Sequence, residues 1–286
     1  MKIIAIIVLY NDNTEEAAYN IGTIAQQVDE VCLVDNSDDA YPSRFENIEN
    51  ATYLPQYSNK GIAAAQNVGI RYAIENKADF LLFADPDTTI ERGAIDHLYN
   101  TYRKMKDHNY NIGGIGSVAR NRITHELYPL RSTLICEIEE MNVKQVTYTM
   151  NSISLYPTGL FQKVGFMDES LFIDGVDSEF CWRATDKTKA CFYLDNNVIV
   201  DHQLGMGTKN VCGKAVSITP PFRMYYQYRN YLWLLKRPYT PKRWILENGV
   251  RYLIKMMYYP LFKSPRMQYV KYMAKGIYKG LCAQAL

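Results

Sequence analysis

Phe80-Leu81-Leu82-Phe83-Ala84-Asp85-Pro86-Asp87 is the stretch whose reading decides the fold. Its first five residues are a short apolar run of the kind that forms a strand buried on both faces, and the run ends on two acids separated by a proline. Open α/β sheets bind ligands at the carboxyl edge of their strands, which is where Asp85 and Asp87 are delivered. Two carboxylates one residue apart can share a hard divalent cation, Mg²⁺ or Mn²⁺, and the cation neutralises a diphosphate. Aspartates after a strand are also ordinary turn formers, so the triplet needs support from the rest of the chain.

Outward from it, strand and helix patterns alternate through the first third, the signature of a parallel sheet with crossovers. Ile3–Leu9 is a continuous, mostly β-branched run and a helical stretch follows to about residue 27. Val31-Cys32-Leu33-Val34 is a second strand ending in Asp35-Asn36-Ser37-Asp38, and residues 51–54 are a weak third. Asn59-Lys60-Gly61 leads into a helix with Ile62, Ala65, Gly69, Ile70, Ala73 and Ile74 on one face. Further strands are expected at 112–118, 146–155 and 190–200, the last ending at Asp201-His202, and 174–185 reads as a loop entering a short helix. From Pro220 onward the pattern is helical, punctuated by Pro238, Pro241, Pro260 and Pro265. The 286 residues therefore suit one large α/β domain, 1–235, with a helical appendage, 236–286.

A net charge of +2 hides a strong asymmetry. From Tyr231 onward there are eleven Lys/Arg and one acid, Glu247, so the end of the chain carries +10 and residues 1–230 carry −8. A basic end on an acidic body implies a polyanionic partner. The cysteines, 32, 136, 181, 191, 212 and 282, show no CxxC spacing and read as reduced residues of a cytosolic protein. The apolar start, with no small-residue cleavage site after it, reads as a strand rather than a signal peptide. No stretch approaches the ~18 uninterrupted apolar residues of a membrane span.

The motifs exclude two nucleotide chemistries. A dinucleotide fold needs a glycine-rich turn after its first strand, and here that turn is Tyr10-Asn11-Asp12-Asn13. No GxxxxGK[ST] motif exists for P-loop chemistry. Asp35, ending the second strand, suits a ribose or a base. Gly61 and the alanines after it open a helix N-terminus, either for a close approach to an anion or for tight helix–sheet packing. Asp177 and Glu179 form a second acidic site, suited to a general base for an incoming hydroxyl or to an acid-decorated helix start. Arg183, one turn on, is placed to pair with Glu179. His202, directly after a strand, is either structural or the completion of an oxygen-rich metal site.

Taken in order, Val8-Leu9-Tyr10-Asn11, Val34-Asp35-Asn36-Ser37, the 59–67 segment from Asn59 to Asn67, Asp85-Pro86-Asp87, Phe172-Ile173-Asp174-Gly175-Val176-Asp177-Ser178-Glu179, His202 and the run from Arg223 through Tyr225-Tyr226 to Arg229-Asn230 resemble the inverting family 2 glycosyltransferases of GT-A fold. Within them, the bacterial rhamnosyltransferases are most similar. The resemblance covers roughly residues 3–235 and implies a mixed sheet flanked by helices, a nucleotide-sugar donor, foremost dTDP-L-rhamnose, and transfer with inversion. It implies that Asp35 holds the base or ribose and that Asp87 and His202 serve a Mn²⁺ or Mg²⁺ ion, with Asp85 close by. Asp177 falls where the family's catalytic base lies, and Tyr10, Asn11, Asn36, Asn59, Gly61, Asn67, Glu179, Arg183 and Arg229 fall on its substrate side. The family often has Ser-Gly where this chain has Asn151-Ser152, and rhamnosyltransferases commonly carry Gln where Pro86 stands.

In the tail, Met267, Val270, Ala274, Ile277 and Leu281 are expected to line one helical face beside Lys271, Lys275 and Lys279. Basic, aromatic, amphipathic helices lie in anionic headgroup regions, so the tail is expected to hold the protein peripherally on the inner face of a bacterial plasma membrane, near a glycan or lipid-linked acceptor. Packing on the catalytic domain or a homo-oligomer interface is the alternative use of these helices. No motif supports nucleic acid. Against glycosyl transfer stand a non-catalytic nucleotide-sugar or glycan-binding protein of the same fold and a nucleotidyltransferase.

Overall fold

The computed structural model describes residues 1–202, 208–211, 214–217 and 219–282, with the side chains of 202, 208–211 and 214–217 outside the description. In chain order the elements are β1 (Ile3–Leu9), α1 (Glu15–Ala25), β2 (Glu30–Asp35), β3 (Ala51–Pro55), α2 (Ile62–Glu75), β4 (Phe80–Ala84), α3 (Ala94–Asp107), β5 (Ile112–Asn121), β6 (Leu134–Ile138), β7 (Val143–Val146), β8 (Ser154–Pro157), α4 (Thr158–Val164), α5 (Val176–Thr188), β9 (Cys191–His202), β10 (Thr208–Val211), β11 (Lys214–Ser217), α6 (Pro221–Leu234), α7 (Lys242–Phe262) and α8 (Arg266–Cys282).

Nine strands form one mixed sheet in the order β3-β2-β1-β4-β8-β5-β9-β7-β6. The first four run parallel, as the alternating pattern predicts, and β8 enters antiparallel between β4 and β5. Both faces of β1 are covered, which is why its sequence is apolar without alternation. Ile4 and Ile6 pack with Ala65 and Ile70 of α2 and Phe180 of α5. Ile3, Ala5 and Ile7 pack with Ile21 and Ile24 of α1 and Ile95 and Leu98 of α3. This arrangement aligns the carboxyl ends of β1, β2 and β4 along one edge, so the turns after them become neighbours.

The structure corrects two expectations. The single strand foreseen at 146–155 is two, β7 and β8, because β7 pairs with β9 while β8 lies between β4 and β5. One continuous strand cannot occupy both places, so residues 147–153 cross between them, with Ile153 held at φ 93°. Pro260 does not interrupt a helix but sits in the last turn of α7. Helix α8 buries Tyr269, Met273, Gly276 and Gly280 and leaves Met267, Val270 and Leu281 of the expected apolar face exposed. Its glycines explain the choice: a Cβ on Gly276 would lie 2.4 Å from the Tyr225 carbonyl oxygen of α6, so only glycine permits that approach.

Helices α6, α7 and α8 share a separate cluster of Met224, Tyr228, Tyr259, Tyr269 and Met273, while Trp233 of α6 belongs to the main core. Cys32 and Cys181 are buried, and they are free thiols like Cys136, Cys191 and Cys282. Cys212 lies outside the described residues. No helix among the described residues is long and apolar enough to cross a membrane.

Candidate active site

The Asp85-Pro86-Asp87 turn leaves the carboxyl end of β4, half-burying Asp85 and exposing Asp87. It is anchored from α1, where Asn20 donates to the Pro86 carbonyl (3.2 Å) and accepts from Thr89 Oγ1 (3.1 Å). Thr89 also bridges to Asp201 of β9 through two backbone hydrogen bonds of 3.0 Å, and Arg120 grips the Asp201 carboxylate through Nε and Nη2 (2.7 and 2.8 Å). The backbone of His202 is therefore brought close to this turn, although its side chain lies outside the described residues.

Beside the turn opens a cavity of about 350 Å³ lined by Asp12, Thr14, Pro86, Asp87 and Arg122 among others. Asp12, in the turn after β1, was not singled out from the sequence, because an acid after a strand is common there. Burial pushes its carboxyl above the ordinary value, the Tyr10 amide opposes that, and the charges of Asp87 and Asp35 add to the rise. Carboxylates that share the lining of one cavity, as Asp12 and Asp87 do, are the oxygen donors a hard cation takes. Among the described residues no three His, Cys, Asp or Glu side chains gather as a closed metal cage. Asp12 and Asp87 are two carboxylates on the cavity wall, a donor pair whose chemistry would suit Mg²⁺ or Mn²⁺.

The second edge turn begins at Asp35, which is buried and accepts from the Ser37 amide (3.0 Å) and from the Tyr53 hydroxyl. Asn11, at φ 58°, donates its amide to Ser37 Oγ (2.7 Å), joining the turns after β1 and β2, while Tyr10 is exposed beside it. Asn36 bridges to the third turn: its Nδ2 donates to Asn59 Oδ1 (3.2 Å) and its Oδ1 accepts from the Lys60 amide (2.9 Å). Gly61 follows at φ 87°, capping α2 against Phe172, with no room for a Cβ. Asp35, Asn36, Asn59 and Gly61 thus form one connected wall.

Asp177 stands at the start of α5. The Asn151 amide donates to its Oδ2 (3.2 Å) and Asn151 Nδ2 to its Oδ1 (2.8 Å). Asn151 lies on the 147–153 crossing, two residues before the strained Ile153, the kind of backbone held only where surroundings over-determine it. Burial pushes the Asp177 carboxyl up to about 6; Asn151's hydrogen bond lowers it and the nearby Asp174 charge raises it. A carboxylate titrating there is ionised at neutral pH yet basic enough to take a proton as a bond forms.

With these groups in place, the sequence comparison is decisive: the model of the family described as Glycosyl transferase family 2 matches residues 4–154, just over half of the chain. The chain belongs to glycosyl transferase family 2. As a family 2 glycosyltransferase it is 28% identical to the dTDP-rhamnosyl transferase RfbF of Shigella flexneri over 96% of this chain and 93% of that one. It is 27% identical to the low-salt glycan biosynthesis hexosyltransferase Agl10 of Haloferax volcanii, over 62% of this chain and 60% of the relative. The fold is that of solved GT-A structures. S. aureus TarS 1–349 in complex with UDP-GlcNAc superposes with a TM-score of 0.57 at 14% identity, over 98% of this chain and 81% of that one. GalNAc-T7 with UDP, GalNAc and Mn²⁺ gives 0.55 at 12% identity, over 71% of this chain and 44% of that longer one.

In this glycosyltransferase, four residues expected on the substrate side spend their hydrogen bonds inside the protein. Glu179 is fully buried and accepts from Arg183 Nε (2.8 Å), Arg237 Nη1 (2.8 Å) and the Tyr239 hydroxyl (2.6 Å). Arg183 also donates to the Val164 and Phe166 carbonyls (3.0 and 2.7 Å). Asn67 exchanges hydrogen bonds with Met167 (3.0 and 2.9 Å). Arg229 donates to the Ser170 and Leu171 carbonyls (2.7 and 2.9 Å) and lies 4.3 Å from the Trp233 ring centroid. Its neighbour Asn230 binds three carbonyls of Leu171, Ile173 and Asp174 (2.9, 2.7 and 2.8 Å), pinning the loop that leads to Asp177. These side chains tie the segments before and within α5 to α6 and to the connection that follows it.

Proposed function

We propose that the protein transfers a sugar, L-rhamnose from dTDP-L-rhamnose, to a hydroxyl of a lipid-linked or cell-surface glycan precursor with inversion at the anomeric carbon. The observation that carries this reading is the pair of acidic sites: a base held by Asn151 with its carboxyl near 6, and a separate carboxylate edge at Asp12 and Asp87. The rhamnose donor is supported by the likeness to RfbF over nearly the whole chain.

In this mechanism the nucleoside lies along Asp35, Asn36 and Asn59, with Gly61 allowing close approach of the α2 N-terminus. Asp177 takes the proton of the acceptor hydroxyl as its oxygen forms the new bond to the anomeric carbon. The bond from that carbon to the diphosphate oxygen breaks, and the electron pair leaves with the nucleoside diphosphate. Asn151 keeps the Asp177 carboxylate oriented throughout, and burial keeps it basic. A divalent cation at Asp12 and Asp87, when bound, supplies countercharge to the departing diphosphate. His202 remains a proposed contributor to that site.

The tail supports a peripheral position on the cytoplasmic side of an anionic membrane, with α7 adding a longer apolar surface to the exposed α8 residues Met267, Val270 and Leu281. Leu246, Val250, Leu253, Ile254, Met257 and Leu261 form one stripe along α7, every one exposed, from 51% at Val250 to 70% at Leu246. Contiguous exposed apolar surface of this kind marks an interaction site. The net +10 beyond residue 230 disfavours pairing two such faces and favours anionic lipid.

Product analysis tests the enzyme reading. Incubation with dTDP-rhamnose and an acceptor extract should release dTDP. Release of pyrophosphate would make the protein a nucleotidyltransferase, and release of neither would make it a binding protein.

A further inference from the structure

The crossing that carries Asn151 is tied to the sheet on both sides. The Ile153 amide donates to the Phe83 carbonyl of β4 (2.9 Å), and the Ile153 carbonyl accepts from the Ser117 amide of β5 (3.0 Å). Ser154 Oγ donates to the Met150 carbonyl (2.5 Å). Gly116 of β5 makes room for the crossing, since a Cβ there would stand 2.5 Å from Ser154 Oγ and 3.3 Å from the Thr149 Cβ.

Behind Asn151 lies the fully buried Tyr156 of β8. Its ring meets Phe83, Phe161 of α4 and Phe180 of α5 edge-on, at centroid distances of 5.6, 6.0 and 6.2 Å, which sets the place of its hydroxyl. That hydroxyl donates to Asn151 Oδ1 (3.2 Å) and lies 2.7 Å from Thr149 Oγ1. Each hydroxyl has one proton to give. If Tyr156 gave its proton to Thr149, its lone pairs would face the Asn151 oxygen. Both contacts are satisfied only when Thr149 donates to Tyr156 and Tyr156 to Asn151. Asn151 Nδ2 then donates onward to Asp177 Oδ1 (2.8 Å), so the donors run one way, from Thr149 to the carboxylate.

The two ends of a carboxamide are nearly equal in size, so hydrogen-bond partners rather than packing distinguish them. Asn151 is buried, where an oxygen without a donor is costly. The ionisable groups around Asp177 and this relay are Asp174 before α5, Tyr148 on the crossing, Tyr156 itself and Cys181 of α5, whose thiol also touches Tyr156 and Thr149. Burial pushes the Tyr148 hydroxyl and the Cys181 thiol up to about 12, and it raises the Tyr156 hydroxyl well above its ordinary value. All three therefore keep their protons at neutral pH, and Tyr156 stays a donor.

We propose that Tyr156, held by Thr149, is a positioning residue for the transfer reaction: its hydroxyl marks the oxygen end of the Asn151 amide and so keeps the nitrogen end on Asp177. The proposal deepens the glycosyltransferase reading and rests on it for its kinetic consequence.

The test is a double-mutant cycle on the full chain, with Tyr156→Phe, Asn151→Ala and the two combined, each melted to confirm folding. Tyr156→Phe removes one oxygen and keeps the ring contacts. It should lower kcat about fivefold, the weight of one neutral hydrogen bond, with KM for dTDP-rhamnose within about twofold of the parent. In the Asn151→Ala background the same change should alter kcat by less than about twofold, because no amide is left to orient. Equal losses in both backgrounds, an unchanged kcat for Tyr156→Phe alone, or a loss confined to KM overturns the proposal. A second readout needs no turnover: the Asp177 carboxyl carbon is followed by NMR against pH, its signal identified with Asp177→Asn. Tyr156→Phe should raise the midpoint, by about threefold in proton affinity, since a misplaced amide no longer favours the ionised form. An unmoved midpoint overturns the proposal, and this readout on Tyr156→Phe alone decides the matter where the combined variant does not fold. A raised midpoint in a protein that releases no dTDP from dTDP-rhamnose leaves the positioning of Asp177 standing and removes only the glycosyl-transfer reading.

Discussion

Replacing Asp177 by Asn should abolish transfer and make the protein more stable at neutral pH. The folded carboxyl titrates near 6 instead of 3.8, so its ionised form is disfavoured by about 3 kcal/mol in the folded chain. The associated stability is fully present below pH 3.8 and is lost as pH rises through about 6. An asparagine removes that charge but turns its NH₂ towards either the Asn151 amide or Asn151 Nδ2, which both donate to the carboxylate. That mismatch costs about 1 kcal/mol, leaving a net gain of about 2 kcal/mol, or a rise in Tm of about 3 °C for a chain of this length. The assay is a pair of thermal melts, at pH 7.5 and at pH 5, with donor binding and product release measured on the same samples. The gain should shrink at pH 5, where the parent carboxyl is mostly protonated, and activity of the parent should fall on the acid side of about pH 6. A variant that melts at or below the parent at pH 7.5, or that retains most of its transfer activity, refutes the assignment of a buried base.

Asp87→Ala should weaken Mn²⁺-dependent binding of the nucleotide sugar by about tenfold or more, measured by calorimetry with and without metal; equal affinities in both conditions would remove Asp87 from the metal site. Glu179→Gln should cost about 3 kcal/mol in denaturant unfolding, since it leaves Arg183 and Arg237 without their shared buried carboxylate. The same variant should keep its donor affinity, which a substrate-binding role would not allow. Leu253→Gln with Met257→Gln should release the protein from phosphatidylglycerol vesicles in a sedimentation assay while preserving its melting temperature. Undiminished vesicle binding, or a parent dimer that these changes dissociate, would exclude α7 as the membrane surface.

Much of the sheet was legible because its strands are buried on both faces. Ile3–Leu9 and Phe80–Ala84 need no partner information to read as strands, and the acids after β2 and β4 fall at the ligand edge by the rule of open sheets. The 147–153 crossing was not legible, since apolar residues on either side of Asn151 look like one strand until the sheet order separates them. Asp12 was hidden for a related reason: only the pairing of β1 between β2 and β4 sets its carboxylate beside Asp87 and Asp35.

From residue types alone, the chain determined its family, its parallel half-sheet, the acids proposed to carry the chemistry and the basic tail. Helical phase decided the rest. Asp177 and Glu179 lie two positions apart on α5, about 200° around its axis, so one faces Asn151 and the site while the other is driven into the interior. There Arg237 and Tyr239, from the connection after α6, close around Glu179. The same rotation turns the Tyr269, Met273, Gly276 and Gly280 side of α8 inward and leaves an apolar stripe of α7 facing out. A linear pattern names the residues of a helix face, but only the neighbours packed against the helix determine which face is buried.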